Sequence, residues 1–154
     1  MHLSDLIDNR HLFIADSFDN TDSFYAEYAN FLKDNDIIKD PDKIKRLFIK
    51  REGVHSTAIG KGAAAPHIYS EEFSQFIFSI AIIKKGLDFK APDKGKVYVV
   101  FLIMSDDHDV PRHLKTLSFI AKLVSDTNII DELSKCNTPE DIAKILNRYD
   151  AQVF

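Results

Sequence analysis

The stretch SQFIFSIAIIKKGLDFKAPDKGKVYVVFLIM, residues 74–104, holds two apolar runs parted by a polar, turn-rich segment. Within SQFIFSIAIIKKGLDF (74–89) and GKVYVVFLIM (95–104), apolar and β-branched residues follow one another almost without alternation. A strand with one wet face alternates, whereas these runs suit strands covered on both faces. Between them KKGLDFKAPDKG (84–95) carries glycine, proline and aspartate, and it bends the chain back at the sheet edge.

Two covered faces require helices, and the flanking sequence supplies them. Thr21 serves as a cap for a helix with Phe24, Tyr25, Tyr28, Phe31 and Leu32 on one face. Asp40 and Pro41 open another, with the stripe Ile44, Leu47 and Phe48 and a stop at Gly53. Asp109 and Pro111 open a third, whose stripe includes Leu114, Leu117, Ala121 and Val124. TPEDIAKIL (138–146) shows a threonine cap, proline at the first helical position and an acid three residues after the cap. HLFIADSF (11–18) reads as a first strand and STAIG (56–60) as a short second one. Helices alternating with buried strands predict an α/β domain, its sheet covered on both faces.

At 154 residues the chain has the length of one domain, and 45% apolar with 29% charged residues is a globular balance. The single cysteine, Cys136, permits no disulfide within the chain. The opening MHLSDLIDNR lacks the long apolar core of a signal peptide, and the run Val97–Met104 is too short to cross a membrane. A cytoplasmic location without membrane insertion is the expectation. A formal charge of −4 argues against nucleic acid as a partner.

The chemistry centres on GKGAAAPHIYS, residues 60–70, where one ring, His67, follows a proline and is surrounded by small residues. A neutral imidazole is a competent nucleophile at cell pH, and three alanines before the proline would leave it unscreened. Ala-Pro-His alone is equally a turn histidine. Arg51 extends the inward stripe of its helix, where it either bonds the last carbonyls or holds an anion. His113 sits in the first turns of its helix, four residues before Leu117 on the buried side. A helix start favours anions and a neutral ring. Two histidines and an arginine compose a phosphate site that uses no metal. Neither His55 with His67 nor His108 with His113 has a zinc spacing. Ser56 and Ser70 lie in no nucleophile elbow. His2, His11 and His108 read as solvated surface.

REGVHSTAIGKGAAAPH (51–67) resembles the signature of fructose/mannitol-type enzyme IIA domains of the bacterial sugar phosphotransferase system. FLIMSDDHDVPRHLKTLSFIAKLV (101–124) is similar to that family's His-Leu-x-x-Leu helix after a buried strand, and KGLDFKAPD (85–93) to its Gly-x-Asp-Phe turn. LSDLIDNRHLFI and TPEDIAKIL extend the resemblance over essentially the whole chain, residues 1–154. It implies one domain with a mixed five-stranded sheet and helices on both faces. It also implies that His67 is the phospho-accepting histidine and that His113 helps position the phosphoryl group. Arg51 would support the site, with Thr57 as the phosphate-binding hydroxyl beside it; no cofactor or metal is implied. Ala65 departs from the pattern, because the family carries a larger aliphatic residue there. The implied donor is phosphorylated HPr, and the acceptor is a cysteine of an enzyme IIB that works with a membrane-embedded enzyme IIC. The nitrogen-type regulatory branch shares the fold and the histidine, so the resemblance permits that role as well.

Overall fold

The structure is a computed structural model that describes residues 5, 7–106 and 109–153, with side chains described as far as residue 150. His2 and His108 lie outside the described residues. The strands are β1 (Leu12–Ala15), β2 (Ala58–Gly60), β3 (Ala63–Ala64), β4 (His67–Tyr69), β5 (Ile77–Leu87) and β6 (Val97–Ser105). The helices are α1 (Thr21–Asp34), α2 (Pro41–Val54), α3 (Val110–Asp126), α4 (Ile129–Ser134) and α5 (Pro139–Val153).

The two long apolar runs form the antiparallel pair β5 and β6 at the middle of the sheet, with Phe78 opposite Ile103 and Ile80 opposite Phe101. Successive side chains of a strand point to opposite faces. Phe78, Ile80 and Ile82 accordingly join one core with Ile120, Leu123, Ile129, Leu133, Ile142 and Leu146 from α3, α4 and α5. Ile77, Ala81 and Ile83 join the opposite core with Phe24, Tyr28, Leu32, Ile44 and Phe48 from α1 and α2. The lack of alternation therefore reports a strand buried on both faces, as the sequence predicts.

The sheet runs β1-β5-β6-β3-β2, with β4 also paired to β6. It is mixed: β1 lies parallel to β5, β3 and β4 lie parallel to β6, and β2 lies antiparallel to β3. β3 and β4 share one register on β6, since Ala63 faces Val99 and His67 faces Ile103. They amount to a single strand position interrupted at Ala65 and Pro66, which reconciles six segments with the expected five strands. Proline has no N–H to give a ladder. The Pro66 carbonyl still accepts from Ile103 N at 3.1 Å, while Ala65 N turns away to the Thr57 carbonyl at 3.0 Å.

Local signals hold with some corrections. Asn20, not Thr21, caps α1: its side chain accepts from Ser23 N at 2.8 Å, and Ser23 Oγ accepts from Asn20 N at 3.1 Å. Asp40 caps α2 as expected, but the helix passes through Gly53 to Val54. Thr138 Oγ1 accepts from Asp141 N at 3.1 Å, as expected for α5. The buried stripe of α3 is His113, Thr116, Ile120, Leu123 and Val124, while Leu114 is 62% exposed. The apolar pattern misleads there because two inward positions are polar. Both have partners, Ser105 for His113 and the Arg112 carbonyl for Thr116. His11 is buried rather than solvated, and burial lowers its pKa.

Gly86 breaks the β5–β6 register with φ at +74°, and a Cβ built there would sit 2.8 Å from Tyr98 Cε1. Gly86→Ala is expected to cost about 2 kcal/mol of stability through strain and overpacking, read as a lower denaturation midpoint with an unchanged slope.

Candidate functional site

Strand order gathers the site at one end of the sheet. Tyr69 is paired with Ser105, so the end of β4 lies beside the end of β6. His67 and Tyr69, two residues apart, project from the same face of β4. The chain leaving β6 enters α3, whose fourth residue is His113. The rings of His67 and His113 come to 6.0 Å, centroid to centroid, at 71°. Tyr69 stacks on His113 at 4.3 Å and also meets His67 edge-on at 6.3 Å. Phe76 lies perpendicular to His113 at 5.5 Å between centroids, and the Arg112 guanidinium lies 4.1 Å over Phe76. His113 is completely buried, its Nε2 2.5 Å from Ser105 Oγ. His67 is half-buried. Nδ1 of each ring is buried, that of His113 without a hydrogen-bond partner.

Arg51 reaches the same region from the other face of the sheet. Its Nη1 donates to the His55 carbonyl at 2.8 Å, so it does cap its own helix. Its charge nevertheless acts on His67. Burial first, and then Arg51, lower the His67 pKa, against an opposing effect of the Ala65 backbone. The His113 pKa is lowered to about 4, by burial first and then by His67, with Asp109 opposing. At neutral pH the pair is two uncharged imidazoles near a guanidinium and a helix start. That arrangement suits an incoming anion better than a metal ion. Among the described residues no group of three or more His, Cys, Asp or Glu could hold a metal.

Thr57 is buried, and its place differs from a simple phosphate donor. Its Oγ1 donates to Glu52 Oε1 at 2.8 Å and its N to Glu52 Oε2 at 2.7 Å. Tyr25 OH donates to the same Oε1 at 2.6 Å. Burial, then the Glu52 carboxylate, push the Tyr25 pKa well up. The one hydroxyl proton of Thr57 is thus given to Glu52. Through its carbonyl Thr57 holds Ala65 N, two residues before His67. The alanines are not an open apron around His67, as their small size suggests. Ala63 and Ala65 pack in one core and Ala64 in the other, because this segment is a sheet strand.

Glu52, Tyr69 and Ser105 are the residues that sequence reading leaves without a role. Tyr69 had a signal in its two-residue spacing from His67, and Glu52 stands beside Arg51 in the quoted motif. Ser105 had none beyond ending an apolar run. Ser56 and Ser70 are structural: Ser56 Oγ donates to the Phe89 carbonyl at 2.6 Å, and Ser70 Oγ accepts from Glu72 N at 3.2 Å.

A model of the family described as "Phosphoenolpyruvate-dependent sugar phosphotransferase system, EIIA 2" matches residues 5–149. The fructose-specific EIIABC component of the phosphotransferase system of Bacillus subtilis is 26% identical over 113 residues, 73% of this chain and 18% of that protein. A nitrogen regulatory protein of Bradyrhizobium diazoefficiens is 29% identical over 100 residues, 65% of this chain and 65% of that protein. The matched region thus spans just under two thirds of the length of the second relative and a small part of the first. Among solved structures, the nitrogen regulatory protein IIA-Ntr of Neisseria meningitidis has a TM-score of 0.82 at 21% identity, covering 94% of this chain and 98% of that one. IIAMTL of Escherichia coli, in a complex with phosphorylated IIBMTL, has a TM-score of 0.75 at 12% identity, covering 92% and 97%. Likeness at these identities establishes the α/β fold.

The neutral state of His113 has a measurable consequence. An unfolded histidine titrates near 6.5, whereas the folded ring stays uncharged down to about 4. Between these values the unfolded chain binds the extra proton, so stability falls as pH drops through this window. Histidine NMR titration is expected to show no protonation of His113 at pH 6, and His113→Phe should flatten the acid side of the stability profile.

Proposed function

The chain belongs to the phosphoenolpyruvate-dependent sugar phosphotransferase system EIIA 2 family, and from that premise we propose that it carries a phosphoryl group on His67. The donor is phosphorylated HPr and the acceptor a cysteine of an enzyme IIB, which serves sugar uptake through a membrane-embedded enzyme IIC. One observation carries this reading: a half-buried, neutral His67 faces a fully buried His113 within reach of the Arg51 charge.

The hydrogen bond of the His67 ring to the Ala65 backbone assigns the ring proton to the buried Nδ1, so Nε2 keeps its lone pair and is the atom left for attack. Its lone pair forms the new P–N bond as the P–N bond of the donor phosphohistidine breaks, and the donor ring departs with that electron pair. In the second step a thiolate of enzyme IIB forms a P–S bond while the P–N bond at His67 breaks. Neither step needs a cofactor or a metal, because positioning and charge stabilisation do most of the work in phosphoryl transfer. His113 bonds the phosphoryl oxygens, and Arg51 adds positive charge. Thr57 acts through Glu52 and Ala65, keeping the strand break in shape. The exposed apolar side chains Val54, Val110 and Leu114 lie on the same helices as Arg51 and His113. Such a rim suits a protein partner better than a free sugar.

A regulatory role, in which phosphorylation state controls binding to other proteins, has its own support in the nitrogen regulatory relatives. The two readings part at the second step. Incubation with phosphoenolpyruvate, enzyme I and HPr is expected to give one acid-labile phosphate, absent in His67→Ala and undiminished by chelator added after HPr is phosphorylated. Label retained in His67→Ala would overturn the assignment. Discharge to an enzyme IIB cysteine favours transport, and its failure with every candidate favours regulation.

Losing one hydrogen-bond donor to the transferring group typically costs about 3 kcal/mol at the transition state, a factor of ~100 in rate. His113→Ala is therefore expected to slow transfer by that order while leaving the fold intact and His67 competent for slow labelling. Arg51→Ala should slow transfer as well and also lower the melting temperature, since its capping bond is lost. Unchanged rates in both variants would reduce the site to His67 alone.

A further inference from the structure

Ser105 ends β6 and is fully buried. Its Oγ lies 2.5 Å from His113 Nε2 and 3.0 Å from the Asp106 carbonyl oxygen. A hydroxyl has one proton to give and lone pairs to accept with. Only one assignment makes both contacts hydrogen bonds: Nε2–H donates to Oγ, and Oγ–H donates to the carbonyl. The reverse assignment forfeits the carbonyl and leaves a buried Nδ1–H with nothing to bond. Orphaned buried donors are the rarer and costlier case. The ring is also held in orientation, with Tyr69 stacked on one face and Phe76 packed perpendicular to it.

We propose that Ser105 is a positioning residue for the reaction at His67: it fixes His113 as the Nε2–H tautomer, so that His113 engages the phosphoryl group only by taking up a proton at Nδ1. This rests on the reading of His67 as the phosphoryl acceptor. Phosphoryl oxygens are acceptors, and so is a bare Nδ1. The two repel until a proton from solvent adds to Nδ1. The imidazolium so formed donates from Nδ1 to a phosphoryl oxygen, while its other N–H remains on the chain Nε2–H, Oγ–H, carbonyl. The proton returns to solvent when the phosphoryl group leaves.

Before phosphorylation the surroundings keep the ring uncharged. The titratable groups around it are His67 and Tyr69 on β4, Asp109 and Arg112 on or beside its own helix, and Arg51 beyond His67. Among the described residues Asp109 alone favours the cation, and burial outweighs it. A phosphoryl dianion at His67 reverses that balance. His113 thereby carries charge only while the phosphoryl group is present, and a buried cation is never left unpaired.

The test is a long-range nitrogen–proton correlation spectrum of the histidine rings of the full chain at neutral pH. Unphosphorylated protein is expected to show His113 as a neutral Nε2–H ring. Ser105→Ala should shift it to a tautomer mixture, and Ser105→Thr should restore it. Protein phosphorylated from HPr should show both His113 nitrogens protonated. Phosphoryl uptake from phosphorylated HPr should fall about tenfold in Ser105→Ala and recover in Ser105→Thr. A neutral Nδ1–H ring in the unsubstituted protein, or a neutral His113 in the phosphoprotein, overturns the proposal. So does a tautomer that ignores Ser105→Ala. If His67 takes no phosphate although the tautomer follows Ser105, the phosphotransfer reading falls, and the role of Ser105 in transfer falls with it, while the tautomer assignment stands.

Discussion

Strand β6 is hydrogen-bonded along both edges, to β5 on one side and to β3 and β4 on the other, and both of its faces are buried. No other strand among the described residues has three partners. Because the ladder fixes which residues lie opposite one another, it fixes the site. The end of β4 can lie nowhere but beside Ser105, and α3 begins a few residues further along the chain, with His113 one turn in. Apolar burial of Val99, Phe101 and Ile103 on one face, and of Val100, Leu102 and Met104 on the other, is what holds the ladder rigid. Distance between the two histidines is thus a property of the core rather than of loops.

The chemistry follows from what burial does to charge. A histidine pair in water would titrate near 6.5 and spend part of its time protonated. Packed between a strand end and a helix start, both rings are held below that value, His113 far below. The histidine pair is therefore uncharged at rest, with Arg51 as its standing positive group, and in the proposed transfer a doubly charged phosphoryl group would meet no negative charge there. The Glu52 carboxylate, with three donors from Tyr25 and Thr57, ties α1, α2 and the strand break into one network. It stiffens the turn between Arg51 and His67 without entering the chemistry.

The architecture was legible in the sequence because burial on both faces writes itself directly into composition: residues 77–83 and 97–104 are almost unbroken apolar runs. Caps such as Asp40 and Thr138 read well for the same reason, one side chain acting on one backbone group. The α3 stripe read poorly because His113 and Thr116 face inward, and polarity hides an inward position unless its partner is known. Ser105 is that partner, and it comes together with His113 only when a strand end meets a helix. His67 was visible through Pro66, yet the alanines before it invited the wrong explanation. They are small because two cores press on a strand from both sides, and nothing in their chemistry distinguishes that from an open surface. α4, six residues long, carries too little periodicity to be read at all.

The interruption at Ala65 and Pro66 leaves the alignment on β6 undisturbed, residue for residue, on either side. That makes chain length in this segment as strictly set as any side chain. Adding or removing a single residue between Ala63 and His67 would turn every later side chain of the strand to the opposite side of the sheet. His67 would then face the aromatic layer of α1 and α2, and after a deletion Ile68 would stand in its place. Side chains around the ring can be exchanged at graded cost, whereas a change of count is all or nothing. Natural variation here should consist of substitutions, with insertions and deletions confined to the connections outside residues 63–69.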